Sequence, residues 1–223
     1  MRRIDDLGLN GLRLIQDTDM FCFGIDAVML ANFAHCEENA KVVDLCTGNG
    51  IIPVLLSAKI PADKIIGVEI QEEVAKLAKE NIEFNNLQDK VSIINDDLKN
   101  MPDVLGKSKF DVITCNPPYR NAGCGVINEA TTKAIARHEI LCSLDDIIYV
   151  SAMLLKPLGK FFMIHRPDRL CDILCSMRQH KIEPKVVQFV QPDKDTKPTH
   201  VLIEGVYGGK MHMKVEVTKI LKG

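Results

Sequence analysis

Apolar residues in this chain fall into short runs that stop on an acid, an asparagine or a glycine, and these runs alternate with stretches of helical period. Runs rich in β-branched residues fit a buried, pleated surface. Strands are therefore expected at Lys41–Leu45, Lys64–Glu69, Val91–Asn95, Phe110–Cys115 and Lys160–His165, with a shorter one near the start at Gly11–Gln16. Helices fill the intervals. Asp26–Ala34 is apolar throughout, and Ile51–Lys59 carries Pro53 in its first turn, where a missing N–H does no harm. Gln71–Asn85 keeps Val74, Leu77, Ala78 and Ile82 on one face. Ser143-Leu144-Asp145-Asp146 starts a capped helix that Pro157 and Gly159 are expected to stop, and Pro167 opens another that runs to His180. Val186–Val190 and Thr199–Gly205, joined by the polar turn Pro192–Pro198, form a hairpin at the sheet edge. Residues 210–222 make a basic tail with room for a last strand. The pattern predicts an α/β fold of seven strands, parallel until the closing hairpin, with helices on both faces.

Composition leaves that picture intact and narrows the setting. At 223 residues the chain is one domain, with residues 1–38 as a front segment, 39–208 as the core and 209–223 as the tail. No apolar run approaches the ~18 residues of a membrane span, and Met1-Arg2-Arg3-Ile4-Asp5-Asp6 is no signal peptide, so a cytoplasmic protein is expected. Eight cysteines include Cys46, Cys115 and Cys142 inside apolar segments, as reduced thiols behave. Cys171 and Cys175 share a helix face without a second pair or a nearby histidine, so they are assigned to the core and no metal site is expected. The net charge of -2 divides unevenly. Residues 1–100 hold 10 basic and 17 acidic side chains, and residues 101–223 hold 18 and 13. A basic second half suits an anionic substrate, although solvated lysines explain it equally well.

The candidate chemistry begins at Lys41–Gly50, KVVDLCTGNG. A buried strand, a turn through Gly48 and Gly50, and a helix N-terminus form the nucleotide-binding corner of an open α/β sheet. The dinucleotide fingerprint fails because Pro53 stands where its third glycine belongs, and no Gly-Lys-Ser/Thr run follows. Asp44 at the strand end would repel a pyrophosphate and favour a cationic ligand. S-adenosylmethionine, with its sulfonium and ammonium, meets that requirement. Glu69 ends the next strand about twenty residues on and can accept both ribose hydroxyls. Asp96 and Asp97 end the third strand, where one carboxylate can accept from an adenine amino group; Asp97 is preferred. In the front segment, Gly24 permits a turn, and Asp26 in the first helical turn is read equally as a cap or as a cofactor contact.

The fourth strand runs into Asn116-Pro117-Pro118-Tyr119. Two consecutive prolines lock an extended backbone. The Asn116 side-chain oxygen and the Pro117 carbonyl thereby become fixed acceptors for one planar NH2 group, with Tyr119 able to stack on the ring that carries it. Such acceptors stabilise positive charge as the nitrogen attacks a methyl group. The long stretch Arg120–Arg137 and its neighbour His138 supply Arg120, Asn121, Lys133 and Arg137 for phosphates, with surface solvation at even odds.

Asp44-x-x-x-Gly48-x-Gly50 resembles the first motif of the class I S-adenosylmethionine-dependent methyltransferases. With Glu69 and Asn116-Pro117-Pro118-Tyr119 it is similar to those acting on adenine or glutamine amides. The front segment Phe23-Gly24-Ile25-Asp26-Ala27-Val28-Met29-Leu30, with no separate target domain, resembles the bacterial tRNA1(Val) adenine-37 N6-methyltransferase family. The resemblance implies a seven-stranded Rossmann-like sheet, S-adenosylmethionine as cofactor and a tRNA substrate. It puts Asn116, Pro117, Pro118 and Tyr119 at the target, and Asp44, Thr47, Gly48, Gly50, Glu69, Ile70, Asp96 and Asp97 on the cofactor, joined by Gly24 and Asp26. It departs from a strong RNA binder in its pI of about 6.3. A protein glutamine N5-methyltransferase, an rRNA or DNA adenine methyltransferase and a non-catalytic cofactor-binding protein remain alternatives.

Overall fold

The computed structural model describes residues 1–20, 22–118 and 142–221. A front hairpin, β1 (Arg2–Asp6) and β2 (Arg13–Asp17), leads into α1 (Ile25–Phe33). The core then alternates β3 (Ala40–Leu45), α2 (Ile51–Lys59), β4 (Ala62–Glu69), α3 (Glu72–Phe84) and β5 (Val91–Asn95). A short helix α4 (Met101–Val104) precedes β6 (Phe110–Cys115). After the undescribed segment come α5 (Leu144–Leu154), β7 (Leu155–His165), α6 (Leu170–Gln179), β8 (Ile182–Gln191), β9 (His200–Tyr207) and β10 (Lys214–Ile220).

The described strands of the core form one eight-stranded sheet in the order β10-β8-β9-β7-β6-β3-β4-β5. From β7 to β5 the strands are parallel; β9 runs antiparallel to both β7 and β8. Alternation along each strand divides the core between two faces. Val42, Ile65, Val112 and Phe162 pack under α1, α2 and α3, whereas Val43, Ile113, Phe161 and Met163 pack under α5 and α6. The chain leaves β3 toward β4 and β5, then returns to place β6 on the other side of β3. That reversal opens a crevice at the carboxyl ends of β3 and β6, where ligands of open α/β sheets bind.

Several boundaries differ from those the pattern predicts. The sheet has eight strands rather than seven, because residues 214–220 of the basic tail pair in parallel with β8. The β8–β9 hairpin is consequently covered on one side and is not the edge. The helix before Pro157 and Gly159 stops as their stop signal predicts, α5 ending at Leu154, but β7 starts at once and takes both residues into a strand. Pairing with β6 jumps from Phe110↔Leu155 to Val112↔Lys160, so Pro157 sits in a bulge that needs no ladder N–H. Cys171 and Cys175 are exposed on α6, not buried in the core. No described helix is long and apolar enough to cross a membrane.

The front hairpin is anchored by two asparagines, Asn81 in the last turn of α3 and Asn85 at its C-cap. Asn81 Oδ1 accepts from Ile15 N at 2.7 Å, and its Nδ2 donates to Ile15 O and Asn49 O, both at 3.0 Å. Asn85 brackets Arg13 in the same way, accepting from its N–H at 2.9 Å and donating to its carbonyl at 2.7 Å. Two side-chain amides thus stand in for a neighbouring strand along β2.

Candidate active site

The glycine turn is built as its sequence requires. Gly48 and Gly50 adopt φ of 57° and 85°, the left-handed region that glycine enters without penalty. Cys46 enters it too, at φ 59°, a conformation a side chain resists. A side chain built on Gly48 would meet no atom within 4 Å, so the turn presents open space there. Gly50 caps α2 against Ala78 of α3, where a Cβ would lie 3.4 Å from the alanine methyl.

Asp44 differs from its expected posture. Its carboxylate is fully buried and accepts from two hydroxyls, Thr47 Oγ1 and Thr114 Oγ1, each at 2.6 Å. Desolvation outweighs these bonds and, with a smaller repulsion from Glu69, raises its pKa to about 7. Asp44 therefore braces the turn from beneath, through Thr47, instead of projecting into the crevice. The bond needs Gly67 on the neighbouring strand: a Cβ there would stand 2.8 Å from Thr47 Oγ1 and 2.7 Å from Ile93 Cδ1.

Glu69 closes over the same turn. Its Oε2 accepts from Gly48 N at 2.9 Å and its Oε1 from Gln71 N at 3.0 Å, which fixes the side chain while leaving lone pairs for a ribose. The acidic pair after β5 also makes local bonds. Asp97 caps a short turn by accepting from Lys99 N at 2.9 Å, and Asp96 Oδ1 accepts from Asp97 N and Asn100 Nδ2. Ile70 follows Glu69 at the mouth and accepts from Asn95 Nδ2 through its carbonyl at 3.1 Å.

Across the crevice, Asn116 follows β6 with Pro117 buried and Pro118 exposed behind it. Asn116 Nδ2 donates to Asp26 Oδ2 at 3.0 Å, whereas its Oδ1 is buried and has no hydrogen-bond partner among the described residues. The N-cap of α1 is Gly24, which makes no side-chain bond, and Asp26 lies in the first turn of that helix. Tyr119, Arg120, Asn121, Lys133, Arg137 and His138 lie outside the described residues.

Some residues at this end of the sheet were not legible as candidates. Asn49, inside the turn, holds a buried Nδ2 with no partner among the described residues. A buried donor at the turn and a buried acceptor opposite, unpartnered among the described residues, are polar atoms that a ligand could satisfy. His165, ending β7 beside the crevice, is held neutral with a pKa of about 4 by burial and by Arg169, and its Nδ1 accepts from Arg166 N. His200 begins β9 nearby, its pKa lowered by burial against a smaller opposing effect of Asp26. Among the described residues, the orphaned atoms, the buried Asp44 and the positive φ of Cys46 set this corner apart from an ordinary turn, and none of them is visible before the chain folds.

The sequence profile of the methyltransferase small domain matches residues 12–169. The chain belongs to that family. Its match spans β2, the glycine turn and the Asn116 segment together. Curated relatives named tRNA1(Val) (adenine(37)-N6)-methyltransferase include one from Porphyromonas gingivalis, 26% identical over 187 residues, covering 81% of this chain and 72% of its own. Another, from Parabacteroides distasonis, is 28% identical over 184 residues, with 81% and 75% covered. Among solved structures, a protein from Agrobacterium tumefaciens described as a predicted O-methyltransferase superposes with a TM-score of 0.71 at 16% identity, covering 88% of each chain. An S-adenosylmethionine-dependent O-methyltransferase from Thermotoga maritima gives 0.60 at 17% identity, over 86% of this chain and 68% of its own. These structural likenesses establish the methyltransferase fold.

Proposed function

We propose that this chain methylates the exocyclic N6 of an adenine in RNA, namely adenine 37 of tRNA1(Val), with S-adenosylmethionine as donor. The observation that carries the reading is Asn116 Oδ1, a buried acceptor without a partner among the described residues, held at the crevice by a rigid proline pair. An acceptor left open at that point suits an NH2 donor; the names of the relatives supply the RNA and the position.

The residues present fit the cofactor. Gly48 leaves open space above the turn, Glu69 offers carboxylate lone pairs to ribose, and Asn49 Nδ2 is a donor in want of an acceptor. Asp44, in its ionised form, favours a cationic ligand at the turn. When bound, S-adenosylmethionine would supply a sulfonium-activated methyl group, its S–C bond breaking as the N–C bond forms, with S-adenosylhomocysteine leaving and one amine proton passing to water. Asn116 Oδ1 and the Pro117 carbonyl accept the two N–H groups of the amine, draw its lone pair out of ring conjugation and stabilise the charge that develops on nitrogen. No strong base is required before attack, because the leaving proton becomes acidic only as the new bond forms. The prolines keep the acceptors aligned, an advantage of orientation and not of affinity. The adenine has to leave any stack to reach them.

An unmodified tRNA1(Val) transcript incubated with labelled donor tests the reading. The expected product is a single N6-methyladenosine beside the anticodon, located by nuclease mapping. Transfer to a release-factor protein with none to the transcript would replace adenine by a glutamine amide as the target.

A further inference from the structure

Residue 26 lies ninety positions before Asn116 in sequence, yet its carboxylate meets the Asn116 amide at 3.0 Å. From this contact we infer that Asp26 is a positioning residue for the transfer: it fixes which end of the Asn116 amide faces the reacting amine. The inference rests on the methylation proposed above.

An asparagine side chain has a donor end and an acceptor end of nearly the same shape, and a half-turn about its last bond exchanges them. Catalysis needs the oxygen toward the target. A flipped Asn116 would offer its N–H groups to an amine that also donates. Asp26 excludes the flip, since it would set Asn116 Oδ1 against the Asp26 carboxylate at 3.0 Å, two acceptors with no proton between them. In the observed orientation the charge-assisted bond holds Nδ2, and Oδ1 stays buried with no partner among the described residues. Donation from Nδ2 to a carboxylate also shifts electron density toward Oδ1, which strengthens it as an acceptor for developing positive charge.

The front segment is shaped to deliver this carboxylate. Asp26 lies in the first turn of α1, where the helix dipole favours an anion. The helix packs on β7, β9 and α2, and its far end places Phe33 edge-on against Phe162 at 5.9 Å, which sets its axis over the sheet. Gly24 clears the path, because a Cβ there would stand 2.7 Å from Asp26 Oδ1.

The test compares Asp26→Ala and Asp26→Asn with the parent enzyme on tRNA1(Val) transcript at saturating donor. Asp26→Ala is expected to lower kcat about 30-fold while KM for S-adenosylmethionine and the Kd for S-adenosylhomocysteine stay within threefold. Asp26→Asn, which keeps an oxygen acceptor, should recover most of the rate. In an Asn116→Ala background, Asp26→Ala should slow the residual reaction no further, since the group it positions is gone. An amide 15N–1H spectrum supplies a readout that needs no substrate: the Asn116 side-chain resonances should move upfield in Asp26→Ala and return toward the parent position in Asp26→Asn. Loss of cofactor affinity with kcat retained, or unmoved Asn116 resonances in a folded Asp26→Ala protein, would overturn the assignment. If the transcript is no substrate for the parent enzyme, the methylation reading fails by itself and the resonance shift still decides the role of Asp26.

Discussion

The titration of Asp44 gives the sharpest consequence of the site's construction. Burial raises this carboxyl to about 7, despite two 2.6 Å hydroxyl donors, so near neutral pH the free protein is an even mixture of neutral and ionised forms. A cationic donor molecule at the glycine turn is drawn to the ionised form alone. Binding should then release a proton and tighten as pH rises. With a pKa near 7, roughly one tenth of the protein is ionised at pH 6 and nine tenths at pH 8, so affinity for S-adenosylmethionine should rise about tenfold, or ~1.4 kcal/mol, across that range. Stability of the free protein runs the other way. The folded state holds a proton that the unfolded chain, with a carboxyl near 3.8, has already lost, so stability falls from about pH 4 to about pH 7 and is level above. Calorimetry in two buffers of different ionisation enthalpy, with parent enzyme and Asp44→Asn side by side, measures both affinity and proton release. Titration of the ligand's own amine is common to both proteins and cancels in the difference. Equal slopes for parent and variant, or tighter binding by the parent at pH 6 than at pH 8, would refute the assigned role of Asp44.

The other predictions concern single contacts. Asn116→Ala should leave S-adenosylmethionine affinity within a few-fold and reduce transfer by at least about a hundredfold, measured as single-turnover rate against Kd. Gly67→Ala should push Thr47 off Asp44, costing about 1–3 kcal/mol in a urea melt and weakening donor binding in the same preparation. Asn81→Ala removes two hydrogen bonds that hold β2 on α3 and a third to the Asn49 carbonyl of the glycine turn, and should lower stability by about 2–4 kcal/mol and Tm by several degrees, with the front hairpin losing amide-exchange protection first.

Within the core, local pattern and local structure coincide wherever one segment contains its own reasons. Val91–Asn95 and Phe110–Cys115 are strands because each is a short β-branched run, and Ile51–Lys59 is a helix because a glycine cap and an early proline bracket it. The glycine turn and the proline pair were legible for the same cause: glycine and proline act on their own backbone, whatever the fold around them. Pairing is different. Nothing in Lys214–Ile220 announces that it will lie parallel to β8, and nothing in Arg2–Asp6 announces a partner in β2, because a strand finds its neighbour only through the order in which helices and sheet pack. Pro157 follows its helix as a stop signal should, yet it also lies inside β7, which local pattern does not reveal, because a bulge there removes the need for its N–H. The site shows the division most plainly. Sequence placed Asp44, Glu69 and Asn116 at strand ends facing one crevice, since parallel strands of one sheet share an end. Only the folded chain sank Asp44 beneath two threonines and brought Asp26 onto Asn116, because burial and hydrogen bonding belong to atoms brought together by the sheet and not to neighbours along the chain.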